Sequence, residues 1–379
     1  MKKFAFLVHL GSSHRTGFRL LSTPLGWIPD AVYRFALRHR PLAPCIWSDL
    51  TLTHNVTEPE GHIIVLPYTS QQLMEQPDAF LPHLEEALAL ATSKGVEILG
   101  MDALISRITQ AGKRIAQNPY LSITNGHVFT GVMLWQRTAQ LIRECHNPKP
   151  VIAIVGATGS VGILVSTLLS HHQNEVRYLL IDRNNHQLHQ VAASLRTSNA
   201  SVDVMVSQQP DLLQKADIVI LAGTPDYTLQ AHHLKVGAII LNDTPFNATS
   251  QSTFAKRPDV TIIDGGLVAT PTLRFLQRSV GLPDSVSHAA LAETLLLAVA
   301  HHSSHFGIGT PVLEQVDYIQ TLAYRFPQLG FGLAPDHSFG KPILRRAVVA
   351  RQSSARPKLR FIPDTSLPSV SRSKPIGCY

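Results

Sequence analysis

Val151-Ile152-Ala153-Ile154-Val155, followed at once by Gly156-Ala157-Thr158-Gly159-Ser160-Val161-Gly162, constrains the fold of this chain more than any other stretch. A short apolar run rich in β-branched residues is too brief for a typical helix and reads as a strand buried on both faces. Behind the glycines, Ile163, Leu164, Val165, Leu168 and Leu169 have helical spacing. Strand, glycine loop and helix in that order form a dinucleotide-binding turn. The first glycine permits the tight bend, and the later ones let backbone approach a pyrophosphate and helix approach strand. Unpaired N–H groups and the positive helix end hold the anion.

Further apolar runs follow at Val176–Ile181, Val202–Val206, Ile218–Leu221, Ala238–Leu241 and Val260–Ile263, with helical spacing between some of them, as at Leu188, Val191, Ala192 and Leu195. The alternation predicts an α/β fold, a doubly wound Rossmann parallel sheet with right-handed crossovers. Asp182 and Arg183 end its second strand, where an acid reads the 2′-hydroxyl of NAD and an arginine accommodates the 2′-phosphate of NADP. The pair favours NADP and leaves NAD open.

With 379 residues, 44% of them hydrophobic, the chain is long enough for two domains and too apolar for a disordered one. Residues 1–130, with strand-like Ile63–Leu66 and a helical stretch from Phe80 to Ser93, are expected to form a smaller N-terminal α/β substrate domain. Residues 131–285 hold the Rossmann unit and a bracing helix from about Thr130 to Cys145. Residues 286–335 supply a second helix, Ser287 to about His302, returning to the N-terminal domain. The net charge of +7 resides in the end of the chain. Residues 341–379 carry nine Lys and Arg against Asp364 alone, which leaves −1 for the rest. Residues 336–379 thus read as a flexible basic tail, and nucleic acid is not an expected partner.

The longest apolar stretch, Ala289 to Ala300, is interrupted by Glu293 and falls short of the roughly 20 residues of a bilayer span. The opening MKKFAFLVHLGSS imitates a signal peptide, but Phe4 to Val8 is too short and reads as a buried first strand. Cys45, Cys145 and Cys378 are too few and too scattered for a disulfide framework, so the cytoplasm is the expected compartment. Cys145 continues an apolar stripe and is expected in the core. His301, His302 and His305 form the best histidine cluster, the first and last sharing a face if their helix continues, yet no third ligand of suitable type and spacing accompanies them. No metal site is expected. His127, in Thr124-Asn125-Gly126-His127, lies in a glycine-containing turn before a helix and is a catalytic candidate.

Taken in order, these residues resemble the long-chain acyl-[acyl-carrier-protein] reductases, from about residue 4 to 334. The likeness rests on Phe6-Leu7-Val8-His9-Leu10, Leu66-Pro67, Thr124-Asn125-Gly126, the glycine loop, Arg183-Asn184, Asp264-Gly265-Gly266 and Ala289-Ala290-Leu291-Ala292-Glu293. The resemblance implies reduction of an acyl thioester to an aldehyde by NADPH, with an acyl carrier protein as partner and a cysteine as acyl acceptor. It adds Asn184, Gly265 and Gly266 to the cofactor residues, and His288 and Glu293 to the catalytic candidates. The family's cysteine falls on Ala290, which cannot form an acyl-enzyme, and Gly100 is followed by Met101 where the family has a glycine pair. The chain is thus a divergent relative. Direct thioester reduction, interconversion of an aldehyde or ketone with an alcohol, or dinucleotide or carrier binding without catalysis all stay open.

Overall fold

The computed structural model describes residues 1–343, apart from 12, 20–22, 40–41, 53–57, 76, 174, 224–228, 245–253, 255, 279–280 and 284. The tail reading therefore lies almost wholly outside the described residues, as does Cys378.

Strand β1 (Phe4–His9) is apolar on both faces and lies inside a six-stranded sheet. Its N-terminal residues are fully buried. Helices α1 (His14–Arg19) and α2 (Asp30–His39) follow it. Strand β2 (Cys45–Thr51) then runs antiparallel to β3 (Gly61–Leu66), and β3 pairs in parallel with β1. After α3 (Ser70–Glu75) and α4 (Leu81–Ser93), strand β4 (Ile98–Met101) pairs in parallel with the other edge of β1. Helix α5 (Ala103–Ile108) leads on to β5 (Ser122–Ile123), which extends β4. Leu84, Ala87, Leu88 and Ala91 of α4 recur at helical spacing and bury one face of this sheet with Ile64, Leu66 and Leu99.

Helix α6 (His127–Glu144) connects the two halves. The second sheet contains β6 (Val151–Val155), β7 (Arg177–Ile181), β8 (Asp203–Ser207), β9 (Ile218–Ala222), β10 (Ile239–Asp243) and β11 (Thr261–Asp264). Its order, β11-β10-β9-β6-β7-β8, is the doubly wound dinucleotide arrangement, all parallel. Helices α7 (Ser160–His172) and α8 (Asn185–Ser198) lie in the first two crossovers. All six predicted strands are present, most of their ends within a residue of the expected place.

The N-terminal sheet also has six strands among the described residues, five of them from residues 1–130. One of the six comes from far along the chain. Beyond β12 (Leu267–Ala269), strand β13 (Arg274–Phe275) pairs antiparallel with β2, so sheet membership does not follow the continuous segments read from the sequence. Then β14 (Val286–His288) pairs with β12 and runs straight into α9 (Ala289–Val299), which packs on β4, β1 and α6. Helix α10 (Leu313–Arg325) completes the layer. Phe4 and Phe6 of β1 thereby share one core with Val128 and Phe129 of α6, Leu164 of α7 and Leu295 of α9.

Helix α9 ends at Val299 and His301 has φ +54°, so the helical face expected for His301 and His305 is not formed. His302 lies 3.2 Å from the Tyr318 hydroxyl, and His305 Nδ1 accepts the Ile123 N–H. Cys145 caps α6 half-buried rather than inside the core.

Candidate active site

The C-terminal ends of both sheets open on one cleft of about 830 Å³. The strand order reverses on passing from β6 to β9, which is where doubly wound sheets bind their ligands. Its walls include Val8, His9 and Leu10 at the end of β1, Asp102, the glycine loop, Asp182, Asn242 and Asp243, Asp264 to Leu267, His288 and Ala290.

The loop glycines have different reasons to be glycine. Gly156 has φ +83°, and a Cβ there would lie 2.3 Å from the Ala222 carbonyl oxygen. A Cβ on Gly162 would lie 2.2 Å from the Gly156 oxygen. The fold itself forbids a side chain at both. Gly159 has φ −73°, and a Cβ there meets nothing closer than 3.3 Å. The chain's own packing needs Gly159 least, and the absent side chain leaves the α7 N-terminus open to an anion. Ala157 is buried behind the loop, Ser160 and Val161 open the helix, and Thr158 closes the loop. Thr158 donates its N–H (3.0 Å) and its hydroxyl (2.6 Å) to Asp182.

That contact decides how the β7 end is used. The Asp182 carboxylate also accepts the Arg183 N–H at 2.7 Å, so the glycine loop and its own turn occupy it. Arg183, next in the chain, is exposed. This arrangement suits a 2′-phosphate better than a 2′-hydroxyl. Asn184 caps α8 by accepting the Gln187 N–H at 3.1 Å. Gly265 and Gly266 line the cleft beside Asp243, and a Cβ on Gly266 would lie 2.3 Å from Asp243 Oδ1. Burial raises the Asp243 carboxyl to about 7.

Of the three catalytic candidates, His127 and His288 line the cleft and Glu293 does not. His288 lines the cleft at the turn from β14 into α9. Its ring is solvent-exposed, yet the cleft walls surround it, and this desolvation holds its pKa below the ordinary value against the pull of Asp102 and Asp264. His127 lines the cleft with both ring nitrogens engaged. Nε2 lies 2.9 Å from Ser106 Oγ of α5 and Nδ1 lies 2.6 Å from Ser160 Oγ of the glycine loop. Burial lowers its pKa to about 4, so it is a neutral clasp between the two halves. Glu293 is fully buried outside the cleft. It accepts the Thr124 hydroxyl and the Phe129 N–H, capping the start of α6, and burial raises its pKa to about 7. Its position is that of a helix cap.

Two features escaped sequence reasoning. Asp102 Oδ2 accepts the His9 N–H at 2.8 Å and lies 2.6 Å from His9 Nδ1, while His9 Nε2 lies 2.8 Å from Ser70 Oγ. Asp102 also caps α5 through the Leu104 and Ile105 N–H groups. Although burial opposes both charges, the pair prevails: His9 is raised and Asp102 lowered. A histidine ending an apolar run and an aspartate between Ile98–Met101 and a helical stretch were the available signals. Asp243 is the second feature, hidden because it only extends an unremarkable strand.

No activated thiol lines the cleft among the described residues. Burial raises the thiols of Cys45 and Cys145 alike. Asp211, His232 and His233 gather far from it, before β9 and β10. There His233 Nδ1 accepts the Gln230 N–H, which leaves the proton on Nε2, the atom a metal would need.

Comparison with known proteins adds to this geometry. Residues 152–237 match the family described as the saccharopine dehydrogenase NADP binding domain. This portion of the chain is therefore an NADP-binding domain. Aminotransferase PigE of Serratia sp. (strain ATCC 39006) is 22% identical over 295 residues, 76% of this chain and 34% of that protein. The chain spans about a third of the length of this curated relative. Among solved structures, the D-arabinose dehydrogenase from Sulfolobus solfataricus has a TM-score of 0.28 at 13% identity, over 47% of this chain and 50% of its own. The iminosuccinate reductase of Paracoccus denitrificans in complex with NAD+ has a TM-score of 0.24 at 16% identity, over 33% and 39% respectively.

Proposed function

We propose that the chain is an NADPH-dependent oxidoreductase that reduces the carbonyl of a small acyl-derived molecule, an aldehyde in the first place. The cofactor rests on the part that follows residue 131 and the substrate on residues 1–130. The observation that carries this reading is the shared cleft, where His288 opens onto the same space as the glycine loop.

NADPH supplies the hydride. The chain's residues do the rest. The glycine loop and the α7 N-terminus bind the pyrophosphate, and Arg183 takes the 2′-phosphate. Phe6, Val8, Leu10, Trp47 and Val65 form an apolar wall on the β1 side, suited to the hydrocarbon part of a substrate. The carbonyl oxygen gains negative charge as hydride arrives and needs one proton. We assign that proton to His288, a reading supported by its opening on the cleft while both ring nitrogens of His127 are engaged and Glu293 lies outside the cleft.

Ala290 favours a free carbonyl over a carrier-bound thioester. It lines the cleft against Gly126, and among the described residues no thiol lines the cleft to accept an acyl group. A thioester route would need hydride to reach the acyl carbon directly, expelling the carrier's thiolate. The deciding experiment incubates the protein with NADPH and either a fatty aldehyde or the matching acyl-carrier-protein thioester, following NADPH absorbance and product. Alcohol from aldehyde supports the reading. Aldehyde from thioester assigns the protein to the acyl reductase reaction. NADPH binding without turnover of either makes it a non-catalytic binder.

A further inference from the structure

One surface beside the cleft has no part in this chemistry. Trp27 is 74% exposed and Val32 52%, and Phe35 of the same helix is exposed as well. Single exposed apolar residues need no explanation, but a cluster of this kind marks a contact surface. Val32 and Phe35 lie on α2, which rests on the body through Tyr33 and Leu37, packed on the shared core, and Trp27 ends the short helical turn just before it. Ala31, Val32, Arg34, Phe35 and Ala36 are all exposed, so α2 stands proud of the body around most of its circumference. Residues 14–40 contain Arg15, Arg19, Arg34, Arg38 and Arg40 against the single acid Asp30, and Arg19 and Arg34 are exposed. Leu10, Gly11 and Gly17, at the base of the same segment, line the cleft.

We propose that the α1–α2 segment docks the protein on an anionic lipid surface, with Trp27 and Val32 at the boundary of headgroups and acyl chains and the arginines on lipid phosphates. A convex, apolar and basic helix suits a deformable surface, whereas a protein partner would offer a groove for it or require one. An indole exposed beside arginines belongs at the headgroup level. Among the described residues no helix is long and apolar enough to cross a membrane, so the contact is with the surface. One short apolar patch binds lipid only marginally and requires a second signal, and the nine basic residues of 341–379 supply that charge. The inference does not depend on the reductase reading.

The test is co-sedimentation of the full chain with phosphatidylcholine vesicles, with and without added phosphatidylglycerol. Binding to the anionic vesicles alone is expected, together with a blue shift of tryptophan emission. The double variant Trp27→Ser/Val32→Asp should bind about tenfold more weakly and lose the shift, with an unchanged melting temperature. Arg19→Glu/Arg34→Glu should weaken binding too. Three results overturn the proposal: no binding to anionic vesicles, equal binding by the Trp27→Ser/Val32→Asp variant, or capture of an acidic protein such as acyl carrier protein at this segment without vesicle binding.

Discussion

In the β6–β11 sheet the strand interiors are apolar and polar residues stand at the ends: Asp182 just beyond β7, Asp243 at the end of β10 and Asp264 at the end of β11. The N-terminal sheet instead carries polar groups inside its strands. Ser48 and Asp49 lie within β2, next to a bulge between Ile46 and Ser48, and Asp49 holds His62 of β3 at 2.7 Å. A parallel sheet covered on both faces leaves its strands no solvent to share, so polar groups are confined to the rim where the ligand binds. A mixed sheet with an antiparallel edge tolerates them at mid-strand, provided each finds a partner. The chemistry of one half is thus concentrated at its rim, while that of the other is dispersed.

The contrast can be broken at its most demanding point first. If the cleft is the reaction centre, His288→Asn should lower kcat by about 10²- to 10⁴-fold and leave NADPH affinity unchanged, as steady-state rates and a cofactor titration will establish. An unchanged kcat would remove His288 from the reaction. Next comes the glycine loop. Gly159→Leu should weaken NADPH at least about a hundredfold, near 3 kcal/mol, with little change in melting temperature, whereas Gly162→Val should unfold the protein. Equal loss of fold in both variants would mean that Gly159, like Gly162, serves packing.

On the N-terminal side, Asp102→Asn should cost about 3 kcal/mol in denaturant unfolding, because it strips a largely buried histidine of its partner. The advantage of wild type over that variant should depend on pH in both directions. His9 is raised above 6.5, so its part is complete below that value and fades as pH rises through the folded pKa. Asp102 is lowered below 3.8, so its part is complete above that value and fades as pH falls. A pH-independent difference would show that the pair carries no charge. The smallest effect expected is that of Arg183→Ala, about tenfold weaker NADP with NAD unchanged. Equal weakening of both would return the ribose to Asp182.

Legibility in the sequence followed the same division. Val151–Val155 and its successors announced themselves because strands buried on both faces are continuous apolar runs, and the glycine loop fixed where the cofactor belongs. Strand β2 gave no such signal, since CIWSDLT mixes polar with apolar residues, and β13 is too short to read at all. Glu293 shows the limit of placing chemistry by resemblance. The family resemblance made it a catalytic candidate, but here it caps another helix more than 160 positions away in the chain. His9 and Asp102 meet only through the register of β1 with β4, which no local pattern encodes.

Strand β13 has a practical consequence for anyone who would divide this protein. Arg274–Phe275 covers the outer edge of β2, and α9 covers β1 and β4. A fragment stopped near residue 130 would lack both, leaving a bare strand edge and uncovered apolar side chains, which recruit other chains into aggregates. Expression of the two halves as separate pieces should therefore yield inclusion bodies from the first, whereas co-expression should rescue it. The molecule is best regarded as indivisible, its first strands waiting on residues synthesised much later.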